Sequence, residues 1–222
     1  MIAQLITKKD NYEIIRDQIA AVLATESAHQ QVLARKADKD PDDWKLRVFI
    51  EKALPFEEWL GSEVAEDTSP IVNVWFDNTN FETRGSNIVE RQKATSIFNV
   101  DCYGYGASAD NPLGGHKPGD TEAAFSVQRA LRFCRNILMA SEYTYLGLRG
   151  LVWQRWPQGI TVFQPELNGV YVQRVAGARF AFSVVYNEMS PQYEGCPIEA
   201  ISIDVLRSET GELLVEADYD YS

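Results

Sequence analysis

At 222 residues, with 45% hydrophobic and 24% charged side chains, the chain is long enough to bury a core and too apolar to be disordered in bulk. A formal net charge of -11 argues against wrapping nucleic acid by counterion release. It suits either a plain acidic surface or a protein that lets a polyanion pass without sticking.

Asp10 with Glu13 forms a capping-box pattern, and Tyr12, Ile15, Ile19, Val22 and Leu23 recur at helical spacing, which predicts a helix to about Leu23 or further. Residues 25–43 are polar and ambiguous, and Pro41 breaks them. Trp44–Glu51 alternates like a strand. Leu54–Gly61 reads as a short helical turn or a docking loop, and residues 62–69 as an acidic connector.

Ile71–Phe76 is apolar at nearly every position, as expected of a strand covered on both faces. Ala94–Tyr103 alternates. Ala94, Ser96, Phe98, Val100 and Cys102 share one face, while Asp101 falls on the more polar side, an ordinary solvated position. Between them, Asp77–Lys93 is long for a hairpin connection. It reads either as a floppy surface loop or as an arm that orders on a neighbouring subunit through Arg84, Ile88, Val89 and Arg91.

Gly104–Asp120, rich in Gly and Pro, reads as a loop, and Gly119-Asp120-Thr121 as an N-cap for a helix from Glu122 to about Glu142. On this helix Ala123, Val127, Ala130, Leu131, Cys134, Ile137 and Leu138 form an apolar stripe. Opposite lie Gln128, Arg129, Arg132, Arg135 and Asn136, with Phe125 and Met139 among them. That mixture has the composition of an interface and equally that of a solvated arginine face. Leu148–Trp156 is aromatic and ends at Pro157, Ile160–Phe163 reads as a short strand, and Asn168-Gly169 as a turn. Val170–Tyr186 is a long extended segment with Gly177 as a bulge or turn. Ala200–Leu206 and Glu212–Val215 form a last hairpin candidate, followed by a frayed acidic tail from Asp218.

The chain carries no phosphate-loop or nucleophile-elbow signature. Cys102, Cys134 and Cys196 are widely spaced, which is neither a disulfide framework nor a zinc pattern and fits a reducing compartment. The N-terminal charges follow a short apolar run, the reverse of a secretory signal, and no apolar run is long enough to span a bilayer, so a soluble intracellular product is expected. One constellation, Asp77, Asp101, His116 and Asp120, would suit a metal-dependent hydrolase if the fold brought it together. Otherwise no catalytic residue, metal or cofactor is expected.

The order of helix, strands, polar connection, amphipathic helix and late strand resembles the tail terminator (tail completion) proteins of tailed bacteriophages. The resemblance is carried by Pro70-Ile-Val-Asn-Val, by the strand ending Val-Asp-Cys-Tyr-Gly104, and by Arg179-Phe-Ala-Phe-Ser-Val-Val-Tyr186, and covers about Ile14 to Tyr186. It implies a single α+β domain over 1–222, with a mixed, mostly antiparallel sheet backed by an N-terminal and a central amphipathic helix. Residues 25–69 and 190–222 would be elaborations on that core. It implies no enzyme but a virion subunit, assembled in the host cytoplasm, that forms a homo-oligomeric ring of six copies. Such a ring caps the tail tube protein, ends tail polymerisation and meets the head-tail connector, other neck proteins or sheath, while genomic DNA passes through without specific binding. Another neck, sheath-associated or baseplate subunit is the alternative.

Overall fold

The computed structural model describes residues 9–60, 67–82, 91–110, 116–167, 170–171, 174–189, 200–206 and 213–220. Helix α1 spans Asn11–Lys36. At its start Glu13 Oε2 accepts the Asp10 backbone N–H at 2.9 Å, the reciprocal half of a capping box. It runs well beyond Leu23 because its polar second half finds tertiary partners. Ser27 is buried, donates to the Trp44 carbonyl at 2.9 Å and accepts from Leu46 N at 3.0 Å. A single turn of 3-10 helix, Pro41–Trp44, then leads into strand β1 (Arg47–Ile50). The strand expected from Trp44 therefore begins three residues later, because Asp40 Oδ1 caps the turn at Asp42 N. Leu54–Gly61 contains another such turn, Glu57–Trp59.

Strands β2 (Ile71–Phe81) and β3 (Arg91–Tyr105) are both longer than their apolar patterns indicate. After a bulge between Phe76 and Asn78, the polar run Asn78–Phe81 continues the ladder opposite Ile97–Ala94, and Glu82 N donates to Lys93 O at 2.9 Å. Much of the expected Asp77–Lys93 arm is thus paired sheet, held by backbone hydrogen bonds that no apolar period announces. Residues 83–90 lie outside the described residues, and Arg84, Ile88 and Val89 with them.

The loop after β3 contains a two-residue pairing, β4 (Ala109–Asp110) with β5 (His116–Lys117). Helix α2 spans Gly119–Met139, so it starts and ends three residues earlier than expected. Pro118 precedes its first turn, where Ser108 Oγ accepts the Gly119 N–H at 3.2 Å. Strand β6 (Val152–Phe163) is one continuous element running through Pro157, with register shifts between Val152 and Gln154 and between Pro157 and Gly159. Proline is tolerated because β6 is an edge strand. A two-residue pair, β7 (Glu166–Leu167) with β8 (Val170–Tyr171), flanks the expected turn, whose residues 168–169 lie outside the described residues.

Strand β9 (Val175–Met189) follows Arg174, whose φ of 66° breaks the extended segment expected from Val170. Gly177 is neither bulge nor turn. It sits in regular register opposite Tyr103 and Phe163, and a Cβ there would come within 2.5 Å of the Phe163 ring. The final hairpin is β10 (Ala200–Leu206) with β11 (Leu213–Asp220), so the tail expected to fray from Asp218 is strand through Asp220.

The fold is α+β. A five-stranded sheet of order β1-β2-β3-β9-β6 is antiparallel except for the β1–β2 pair, and two helices lie on one side of it. α1 packs over β1 and β2, and α2 over β3 and β9. The core between them takes Ile15, Ile19 and Leu23 from α1 and the predicted stripe of α2 from Val127 to Leu138, with Ala123 buried as well. The strands add Val72, Val74, Phe98, Val100, Phe180, Phe182 and Tyr186. Gly104 permits this contact, since a Cβ there would lie 2.6 Å from the Ala123 carbonyl oxygen and 2.8 Å from Val127 N. Cys102 and Cys134 meet in the core as free thiols, Sγ to Sγ 4.0 Å, and the Cys134 contact together with burial pushes the Cys102 thiol well up. No helix among the described residues is long and apolar enough to cross a membrane.

Candidate functional site

The side of the sheet away from the helices has its own small apolar cluster at one end. Phe56 and Trp59, from the segment between β1 and β2, cover Ile71, Tyr103 and Tyr105. Asp67 ties that cover down. It accepts from Lys45 Nζ at 2.7 Å and from Ser69 N at 2.9 Å, and its carbonyl takes Trp59 Nε1 at 2.9 Å. Arg47 stacks on Trp59 at 5.2 Å and pairs with Glu58. Burial raises the Asp67 carboxyl, but the Lys45 and Ser69 hydrogen bonds and the Arg47 charge outweigh it and hold it down to about 2.

Beyond this cover the face is open and its middle is ionic. Cross-strand register places Asp101 opposite Arg179, and both Asp101 oxygens accept from the guanidinium, at 2.8 and 2.9 Å. Trp75 Nε1 adds a third bond at 2.9 Å, and the guanidinium lies 4.6 Å from the Trp75 ring centroid. Asp101 is therefore buried and paired, not solvated, because its counter-ion arrives from a strand 78 residues on. The same bonds raise Arg179 above its ordinary value. At the far end Arg91 stacks on Trp153 at 5.5 Å, and Asn187 Oδ1 accepts from Trp153 Nε1 at 3.1 Å and Arg91 Nη2 at 3.2 Å. Trp75, Trp153, Trp156, Arg91 and Arg179 thus share a surface with the residue types enriched in interface centres.

The β6 edge is exposed along most of its length. Ile160 and Val162 pair with Phe180 and Ala178, so they point to the helix side, yet they are 50% and 69% exposed. Arg155 anchors this strand to the end of α2. Its Nη2 donates to Ala140 O at 2.7 Å, its Nε to Tyr143 O at 2.6 Å, and its Nη1 lies 3.3 Å from Met139 Sδ. Burial lowers the Arg155 pKa.

Of the residues singled out from sequence, Phe125, Arg129, Arg132, Arg135 and Met139 do share the exposed side of α2, with Phe125 66% exposed. Arg129 is engaged by Asp43 at 2.6 Å and separates two shallow clefts. One of about 310 Å3 is lined by Trp44, Lys45, Arg132, Phe133 and Asn136, and one of about 280 Å3 by Thr68, Tyr105, Glu122, Phe125 and Ser126. Arg91 lies apart from them, on the opposite side of the sheet. Sequence reading missed Trp153, Trp156, Ile160, Val162 and Arg179. The signal within reach was Pro157, since a proline inside an apolar, aromatic run marks an edge strand.

Among the described residues no group of three or more His, Cys, Asp or Glu side chains could hold a metal ion. A cation at Asp101 would have to displace Arg179 and Trp75. No protein-family model matches this chain, and no curated protein matches it.

Proposed function

We propose that this protein is a non-catalytic assembly subunit of a bacteriophage virion, which closes into a ring of about six copies, caps the tail tube and joins it to the head-side connector. The observation that carries the reading is the β6 edge. It is a twelve-residue strand with no partner on one side among the described residues, apolar and exposed at Trp153, Trp156, Ile160 and Val162. An exposed apolar edge of this kind is a liability in a monomer and an asset in an assembly. The outward side of α2, with Phe125, Met139 and three arginines, offers a second and different surface, as head-to-tail contacts that close a ring require. The sheet backed by two helices agrees with the architecture the resemblance implies. The acidic balance suits a lumen through which DNA slides.

Negative-stain microscopy and light scattering on the purified protein, alone and with tail tube protein, test this. Rings of about six subunits seated on tube ends are the expected result. A monomer at every concentration, with tube ends left bare, overturns the reading. Rings that bind sheath or baseplate proteins but never tube ends move the protein to another station of the same particle.

A further inference from the structure

The two clefts beside Arg129 lie end to end along α2, and Arg129 lines both. Glu122, Phe125, Ser126, Arg129, Phe133 and Asn136 follow one another at helical spacing, so the clefts form one groove crossed by the Arg129–Asp43 bond. From Glu122 to Asn136 the helix rises about 21 Å, the length of about six residues of extended chain.

The opposite wall is fixed before any ligand arrives. Ser27 of α1 holds the Trp44 carbonyl and the Leu46 N–H, Asp40 caps the turn, and Lys45 is bonded to Asp67 at 2.7 Å. Trp44 on this wall meets Phe133 on α2 edge to face, with ring centroids 5.6 Å apart. A ligand therefore has little of the groove to order.

Its charge runs against that of the chain. Thirty-two acidic side chains outnumber 21 basic ones overall, yet the larger cleft is lined by Lys45, Arg129 and Arg132 against the single carboxylate of Asp43. Aspartates already enter here, Asp67 on Lys45 and Asp43 on Arg129. The Arg129–Asp43 pair is exposed on both sides, 45% and 61%, and costs little to break. It uses one nitrogen of the Arg129 fork, and Arg132 has no polar partner among the described residues.

We propose that this groove binds an extended acidic segment of a partner protein. One large apolar side chain of that segment lies against Trp44 and Phe133, and a carboxylate two residues away takes Arg132 and the unused donors of Arg129. Residues two apart in an extended chain point to the same side, which is the spacing this needs. The chain itself shows the pairing in miniature, with Asp43 on Arg129 and the adjacent Trp44 on Phe133. A nucleic acid or polyphosphate suits the groove less, because it brings many charges to a rim that also carries Asp43 and Glu122. The inference goes beyond the ring, since it concerns one subunit and a peptide.

The probe is a short labelled peptide in which a tryptophan has an aspartate two positions to either side, titrated against the full-length chain by fluorescence anisotropy. Saturable binding is expected, weakened at least about tenfold by Arg132→Gln and lost when the peptide carries alanine for tryptophan or lysine for aspartate. Asp43→Asn frees Arg129 and should tighten binding at least about threefold, whereas Asp42→Asn, the same change of charge at the neighbouring exposed position, should alter it less than about twofold. Equal binding by Arg132→Gln, equal gains from the two asparagine variants, or displacement by inorganic phosphate as effective as by unlabelled peptide overturns the proposal. So does a wild-type chain that binds no peptide. A chain that ignores the peptide but self-associates less with Arg132→Gln gives the groove to a second copy, which overturns this inference and leaves the ring standing. Peptide binding as described in a chain that never forms rings supports the groove and removes the assembly reading alone.

Discussion

Phe180 and Ile160 are direct partners across two neighbouring strands and point to the same side of the sheet, yet Phe180 is fully buried and Ile160 is half exposed. Residue chemistry does not distinguish them. The helical layer does, because α2 ends over β9 and the sheet is one strand wider than its cover. Apolar surface beyond that boundary contributes little to the subunit's own stability and remains free to be buried by something else.

The contrast is sharpest where it should cost most. Phe180→Ala leaves a cavity among Val100, Phe182 and the helices, and a loss of about 3–5 kcal/mol in urea unfolding is expected. A loss below about 1 kcal/mol would mean that the two sides of the boundary are equivalent after all. Next comes the open face, which is stabilised by charge rather than packing. Arg179→Met strands the buried Asp101 carboxylate and should cost on the order of 2–3 kcal/mol, with Asp101→Asn in the same chain returning most of it. Failure of that rescue would show that the guanidinium matters through its stacking on Trp75 alone.

A smaller effect belongs to the aromatic cover at the end of that face. The Asp67 carboxyl is held at about 2, below its ordinary 3.8, so its contribution is complete above about pH 4 and is lost as pH falls towards 2. Thermal unfolding followed by tryptophan fluorescence should therefore drop through that window, and Asp67→Asn should flatten this part of the profile while lowering stability at neutral pH. The smallest effect is expected at the uncovered edge. Ile160→Ser should leave the unfolding free energy of the isolated subunit within about 0.5 kcal/mol. A large loss there would place Ile160 in the core and erase its contrast with Phe180.

The helical layer was largely legible in the sequence, because a 3.6-residue apolar period is written locally. Every residue of the predicted α2 stripe is buried, and the Asp10–Glu13 cap is in place. What escaped depends on partners far along the chain. The second half of α1 has a polar sequence, and Ser27 is held there by the backbone of Trp44 and Leu46. Asn78 and Asn80 have poor strand propensity and are paired because β3 continues beside them. Asp101 looks solvated until Arg179 is placed across from it. The candidate interface divides the same way. The exposed side of α2 follows from the helix period, whereas the open face and the exposed β6 edge arise only once the strand order sets β6 outermost.

Pro157 gives that edge a further property. It lacks an N–H, and the register shift that follows it divides the strand into Gln154–Pro157 and Gly159–Phe163. An incoming strand can follow one half but cannot run in register along the whole. The edge therefore works as a short socket with a built-in stop. A protein made in many copies can expose apolar backbone there for a partner without templating the endless sheet stacking that an uninterrupted edge invites.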